Sequence, residues 1–248
     1  MSIYGEGAYI CDGCGRINPG IRHEAQLAAG TWEISCPNCG GTARPVPTAE
    51  DKVLQPTSVY AVSKRDQEEM CLSVARAYQL PMVALRFFNT YGTRQSLSNP
   101  YTGVAAIFLS RIKNSQAPLI FEDGYQMRDF VSVQDIVQAS ILAMDKQEAD
   151  YQAFNVGSGQ PVTIMQVAET LLNICGSDLR PEIAGKYRAG DIRHCYADIG
   201  KISSTLDFRP RVQLEDGLKE LANWSAGVEA RDNSAQAQIE LTKRRLLS

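Results

Sequence analysis

The chain has 248 residues, of which 44% are hydrophobic and 21% charged, with a formal net charge of -3. That content suffices for one large domain, or a domain and a small module, around a buried core. The near balance of 25 basic and 28 acidic residues gives no broad positive field, so nucleic acid and membranes are not expected partners, while small molecules or other subunits are.

The opening MSIYGEGAYICDG lacks the basic and apolar regions of a signal peptide. No run approaches the roughly 18 apolar residues that span a bilayer, and a cytoplasmic location is expected. Residues 5–50 are rich in Gly, Pro and Cys with little sustained period, and read as an inserted module. From Ser58 to Tyr78 apolar residues recur at helical spacing, and Met82 to Phe87 is a short apolar run typical of a buried strand. A Gly/Pro/Asn-rich loop is predicted from Asn89 to Gly103, then a helix to about Ser115 and a strand around Leu119 to Phe121. Phe130 to Met144 reads as a strand running into a helix, and Asn155 to Gly159 as the close of another strand. Helices follow from Thr163 to Ile174, Ile199 to Leu206 and Leu214 to about Val228. The polar stretch beyond Arg231, ending LTKRRLLS, reads as a peripheral helix or mobile tail. Alternating helices and strands indicate an α/β fold.

Four of the seven cysteines form two CxxC pairs, Cys11 with Cys14 and Cys36 with Cys39, each followed by a glycine (Gly15, Gly40). Cys71, Cys175 and Cys195 are scattered, and an odd, uneven set speaks against a disulfide framework. Paired CxxC knuckles suit a zinc ribbon, in which tight turns bring backbone amides to the thiolates and four sulfurs close a tetrahedral shell. Such a shell leaves no position for water, so the expected zinc is structural. A redox dithiol would instead be expected beside a βαβ pattern. A ribbon could also bind nucleic acid or protein, but its few basic residues (Arg16, Arg22, Arg44) would grip phosphate weakly.

Tyr60 and Lys64 are one helical turn apart and share a face. Alone, YxxxK most often marks a solvated helix face. A nearby ammonium stabilises phenolate, however, and would let the tyrosine accept a hydroxyl proton. The surrounding segment, Pro56 to Lys64, resembles the active-site helix of the extended short-chain dehydrogenase/reductase family, specifically its NAD-dependent nucleotide-sugar epimerases and dehydratases, with UDP-glucose 4-epimerase-like features. Leu85-Arg86-Phe87-Phe88-Asn89-Thr90-Tyr91-Gly92-Thr93-Arg94-Gln95 resembles the strand-to-loop segment that follows that helix, Pro118 to Phe121 the strand flanking the nucleotide base, and Gln126 to Val131 with Asp135 the RDF/Y segment. The resemblance covers roughly residues 56–224, in the expected order.

It implies Tyr60 and Lys64 as the catalytic pair, with Lys64 also holding the nicotinamide ribose and Phe87 and Phe88 lining the nicotinamide pocket. Asn89 would contact the sugar nucleotide and Phe121 stack on its base. Arg128 and Arg188 would grip its diphosphate, with Asp191 in the same RAGDIR segment as Arg188. Two guanidinium forks suit that bidentate anion. NAD, a nucleotide-diphosphate sugar and a homodimer through the active-site helix and its neighbour are implied with them.

No GxxGxxG turn for a dinucleotide pyrophosphate occurs in the sequence. Ser2-Ile3-Tyr4-Gly5-Glu6-Gly7 resembles the family's SSxxVYG segment, which lies midway through the dinucleotide-binding domain. The expectation is an N-terminally truncated chain, inactive alone, whose catalytic Ser or Thr would fall just before Met1. Dehydratases carry an Asp-Glu pair where Met1 and Ser2 stand here, which favours a 4-epimerase acting on a UDP-sugar or similar. The alternative is a non-catalytic zinc-ribbon remnant or interaction protein. The expected organisation is a mid-Rossmann strand remnant at 1–7 and a zinc-ribbon insertion at 8–48. The C-terminal part of a Rossmann-like doubly wound domain, with a small interleaved α/β substrate-binding domain, would fill 49–248, and the polar tail begins near 231.

Overall fold

The computed structural model describes residues 1–188, 190–244 and 247; Ala189 of the RAGDIR segment and Arg245, Leu246 and Ser248 of the tail lie outside the described residues. The first sheet is a three-stranded antiparallel unit in which β1 (Ala8–Cys11) lies between β2 (Gly15–Ile17) and β3 (Ala43–Val46). A short helix α1 (Glu24–Ala28) sits in the connection. Ser2–Tyr4, expected as a strand remnant, is instead a single 3-10 turn. Its amides bond locally, Tyr4 to Met1 and Gly5 to Ser2, while Ile3 and Tyr4 pack against Phe88, Ile192 and Ala197.

After α2 (Val59–Tyr78), β4 (Ala84–Phe87) and β5 (Asn89–Tyr91) follow in quick succession. Asn89 to Gly103 was expected to be loop throughout, because three extended residues are too few to show a period; β5 nevertheless pairs in parallel with the strand at 127–132. Next come α3 (Val104–Lys113), β6 (Leu119–Ile120), β7 (Met127–Ser132), α4 (Val133–Asp145) and β8 (Ala153–Val156). The remaining elements are β9 (Pro161–Thr163), α5 (Ile164–Ile174), β10 (Glu182–Ile183), β11 (His194–Cys195), α6 (Gly200–Leu206), α7 (Leu214–Ser225) and α8 (Ser234–Lys243). Strands β4 and β8 pair in parallel, as do β6 and β10. Strand β7 is shared more widely: β11 runs parallel and β9 antiparallel to its first half, and β5 parallel to its second.

Burial explains the helices. One core joins α3, α5 and α7 over Tyr91, Phe130 and Ile120. A second packs Ile136, Ala139 and Ala143 of α4 with Ile202 and Leu206 of α6 on Phe154 and Val156 of β8. Helix α5 begins with a capping box, Thr163 bonding the amide of Gln166 and Gln166 reaching back to Thr163. Among the described residues no helix is long and apolar enough to cross a membrane.

The end of β8 meets a buried carboxylate. Asp129 accepts hydrogen bonds from the amides of Ser158, Gly159 and Ala197 and from the Ser158 hydroxyl, at 2.7–3.1 Å. Burial pushes its carboxyl above the usual range, against the pull of these donors. Gly157 passes so close that an added methyl would lie 2.5 Å from Asp129 Oδ2 and 2.7 Å from the Ala197 side chain. Gly157→Ala is therefore expected to cost about 2 kcal/mol by overpacking, read from urea denaturation; an unchanged midpoint would contradict this packing.

Candidate functional site

Helix α2 is set in register by its N-cap, where the Ser58 hydroxyl accepts from the amide of Ala61 at 3.1 Å. Tyr60 therefore lies in the first turn of the helix, and Lys64 follows one turn later. The Lys64 Nζ is 5.6 Å from the centre of the Tyr60 ring and 3.2 Å from Gln67 Oε1. Tyr60 is 63% exposed. Both residues and Phe87 border an open cavity of about 590 Å³ floored by Met82 to Arg86. Phe88, expected beside Phe87, points elsewhere: it is buried against Tyr4, ring centres 6.2 Å apart.

Asn89, Phe121, Arg128, Arg188 and Asp191 all line a second cavity of about 250 Å³. The Arg188 guanidinium lies over the Phe121 ring, 4.7 Å from its centre. Asn89 Oδ1 and Gln126 Oε1 are buried in the cavity lining with no hydrogen-bond partner among the described residues. Arg128 departs from the expected diphosphate grip. Its Nη1 donates to the carbonyls of Met127 and Arg193 at 2.9 Å and its Nη2 to that of Ile192, and it sits 3.5 Å from Asp191. With both terminal nitrogens committed to the backbone, it braces the cavity wall, and Arg188 is the cation with freer reach.

Beside the first sheet the Sγ atoms of Cys11, Cys14, Cys36 and Cys39 lie within 4.8 Å of one another, Cys11 and Cys39 at 3.6 Å. Gly15 and Gly40 adopt φ values of 71° and 72°, the left-handed turns that let the chain fold back on the cysteines. Burial opposes ionisation of Cys36, but the amides of Asn38 and Cys39 bring its thiol down to about 7. A metal ion can be held here.

This unit is fastened to the body by buried charge. Arg22 and Glu122 form a two-pronged pair at 2.7 and 3.0 Å, with both side chains 1% exposed. Arg193 also reaches Glu122, at 3.0 Å, together with Asp123 and Glu33, and His194 Nε2 lies 3.0 Å from Glu33 Oε2. Sequence reading missed this cluster because its members are up to 160 residues or more apart, as in Arg193 and Glu33. It also missed Ser234, Ala237 and Gln238, which bring α8 onto the 250 Å³ cavity. Arg111 anchors that helix through Asp232 and Ser234, and Arg188 pairs with Leu247 as an isolated bridge.

The chain is similar in sequence and fold to known proteins. The model of the NAD dependent epimerase/dehydratase family matches residues 32–157, and the chain belongs to that family. It is 34% identical over 225 residues to a dTDP-L-rhamnose 4-epimerase of Burkholderia thailandensis, a match covering 91% of this chain and 60% of that protein. Its Rossmann-like α/β fold resembles the UDP-glucose 4-epimerase of Thermotoga maritima solved with UDP-glucose (34% identity, TM-score 0.68, covering 82% of this chain and 66% of that one). It also resembles a UDP-N-acetylglucosamine 4-epimerase of Methanobrevibacter ruminantium in complex with UDP-N-acetylmuramic acid (32% identity, TM-score 0.69, covering 81% and 61%). The chain thus spans about 60% of the length of the first of these relatives.

The hydrogen bond from His194, and with it Arg193, holds the Glu33 carboxyl down to about 2 against the opposing effect of burial. A carboxylate lowered in this way stabilises the fold fully above its unfolded value of about 4.3 and loses that contribution as pH falls through its folded value. The stability difference between the native chain and Glu33→Gln, measured by urea titration, is expected to be constant above about pH 4.5 and to shrink to nothing toward pH 2. A difference that grows on acidification would contradict the pairing.

Proposed function

We propose that this chain carries the acid–base pair and the nucleotide cavity of an NAD-dependent nucleotide-sugar 4-epimerase. The observation that supports the reading most is the convergence of Asn89, Phe121, Arg128, Arg188 and Asp191 on one cavity. The relatives named above act on dTDP- and UDP-sugars by name, and a pyrimidine nucleoside diphosphate suits the lining. Arg188 offers the charge-assisted donor for the diphosphate, Phe121 an aromatic face for the base, and the unpartnered oxygens of Asn89 and Gln126 accept from ribose hydroxyls or a base N–H.

The cavity beside α2 fits a nicotinamide ribose, since an exposed phenol, an ammonium and the face of Phe87 border one open volume. NAD, when bound there, supplies a reversible hydride acceptor. Tyr60 would take the proton of the sugar 4-hydroxyl and return it, Lys64 would set its positive charge beside the phenol and hold the ribose, and Phe87 would line the nicotinamide pocket. Because the 248 residues contain no GxxGxxG turn, this chain by itself is expected to hold NAD weakly and to turn over little. The four cysteines are assigned one structural Zn²⁺: bonds of about 2.3 Å place tetrahedral thiolates about 3.8 Å apart, close to the 3.6 Å between Cys11 and Cys39.

Calorimetry with UDP is expected to show binding that Arg188→Ala weakens about tenfold or more and that Tyr60→Phe leaves unchanged. Absence of binding by the native chain, or indifference to Arg188, would overturn the reading.

A homodimer through α2 and α4 belongs to the same proposal. Met70, Val74 and Tyr78 form an exposed apolar stripe on α2, and Val137, Ile141 and Met144 form another on α4, each at helical spacing. Ile141→Arg is expected to convert a dimer to a monomer in light scattering; a monomer before substitution would dismiss the pairing.

A further inference from the structure

The four-cysteine unit has little of its own to hold it together. Its core is Tyr9, Cys11, Ile17, Ile34, Cys36 and Ala43, so two of its six members are the thiols themselves. A core of this size requires an added constraint such as a metal, and the folding of such a unit is coupled to metal binding. Yet two of its side chains reach far into the body. Arg22, in the segment between the cysteine pairs, bonds Glu122 through both Nη atoms and donates to the carbonyl of Asp191 at 3.1 Å. Glu33, three residues before Cys36, bonds Arg193 and lies against His194. Trp32 packs beside Tyr187, ring centres 6.3 Å apart.

The residues so held flank the nucleotide cavity. Glu122 follows Phe121, and Asp191 lines the cavity directly. Glu122 is also one of few non-glycine residues with a positive φ, 55°, a left-handed backbone that persists only where surrounding contacts fix it. Those contacts are Arg22, Arg193 and its own amide bond to the carbonyl of Lys186 at 2.8 Å. Without Arg22 the buried carboxylate loses one of its two guanidinium partners, and the turn that presents Phe121 loses a restraint.

We propose that the metal-loaded ribbon is a strut for the nucleotide cavity, with Arg22 and Glu33 as positioning residues that hold Phe121 to Asp123 and Asp191 to Arg193 in place. Metal in the ribbon and nucleotide in the cavity then strengthen each other's binding, by the same factor in both directions. The inference rests on the reading of the cavity as a nucleotide site.

The test measures UDP affinity by calorimetry on the chain loaded with Zn²⁺, after chelation, and after Zn²⁺ is restored. The expected result is a loss of about tenfold on chelation, recovered on reloading, and a matching rise in Zn²⁺ affinity, from chelator competition, at saturating UDP. Glu33→Gln keeps all four thiols, so it is expected to bind Zn²⁺ one to one and retain its far-ultraviolet circular dichroism while losing several-fold in UDP affinity. Arg22→Lys should behave likewise, because an ammonium cannot reproduce the two-pronged bond. Equal UDP affinity with and without Zn²⁺, or native affinity in both variants, overturns the strut. Failure of UDP to bind the Zn²⁺-loaded chain overturns instead the nucleotide reading on which the strut depends.

Discussion

The dipeptide Arg128-Asp129 on β7 is the constraint on which the rest of the structure hangs. Neighbouring residues of a strand point to opposite faces, and here one face carries a buried cation and the other a buried carboxylate. Arg128 collects carbonyls from the segment before β11, while Asp129 collects amides from the turn after β8 and from Ala197. Neither segment has long strands of its own: β11 is two residues and the turn after β8 has none. Their backbone groups would be left unpaired in the interior, at a cost of about 1–3 kcal/mol each. Charged side chains from a single strand satisfy them instead. Polar bonding thereby fixes the loops, while apolar burial fixes the helices packed outside them.

The same division recurs at the ribbon. Its contact with the body is built largely from Arg22, Glu33, Glu122, Asp123 and Arg193, with Trp32 beside Tyr187 and Tyr9 beside His194 as aromatic contacts. Buried ion pairs contribute little net stability, because desolvation offsets their attraction, but removing one partner is severe and the geometry is exacting. Such a contact specifies a position more than it adds adhesion. That suits a module with a small core of its own, two of whose six members are cysteines.

What could be read from the sequence follows from distance along the chain. Tyr60 and Lys64, the helix opening at Thr163 and the paired CxxC knuckles with their glycines are local patterns, and all take the conformation their spacing implies. Helices α3 to α7 were legible because a buried stripe repeats every turn. Two-residue and three-residue strands such as β5, β10 and β11 leave no periodic trace, since pairing across the sheet forms them. Arg22 and Glu122 are 100 residues apart, so no window of sequence contains their bond. Resemblance pointed to Arg128, which lines a cavity, but its commitment to backbone carbonyls was not legible, because those carbonyls belong to a segment 64 and 65 residues away.

The two cavities are joined by a change of strand partner at Phe88. Strand β4 ends at Phe87 paired with β8, and β5 begins at Asn89 paired with β7. In one continuous strand, residues 87 and 89 would share a face. Here the Phe88 amide still bonds the carbonyl of Val156, while the Thr90 amide turns back to the carbonyl of Phe88 at 2.8 Å. That local bond kinks the chain at the junction. Phe88 is locked into the core beneath it, and Phe87 and Asn89 diverge into the cavities of Tyr60 and Arg188 respectively. Phe88, held in the core between them, keeps the two residues in this divergence, so the strand switch ties the wall of one cavity to the wall of the other.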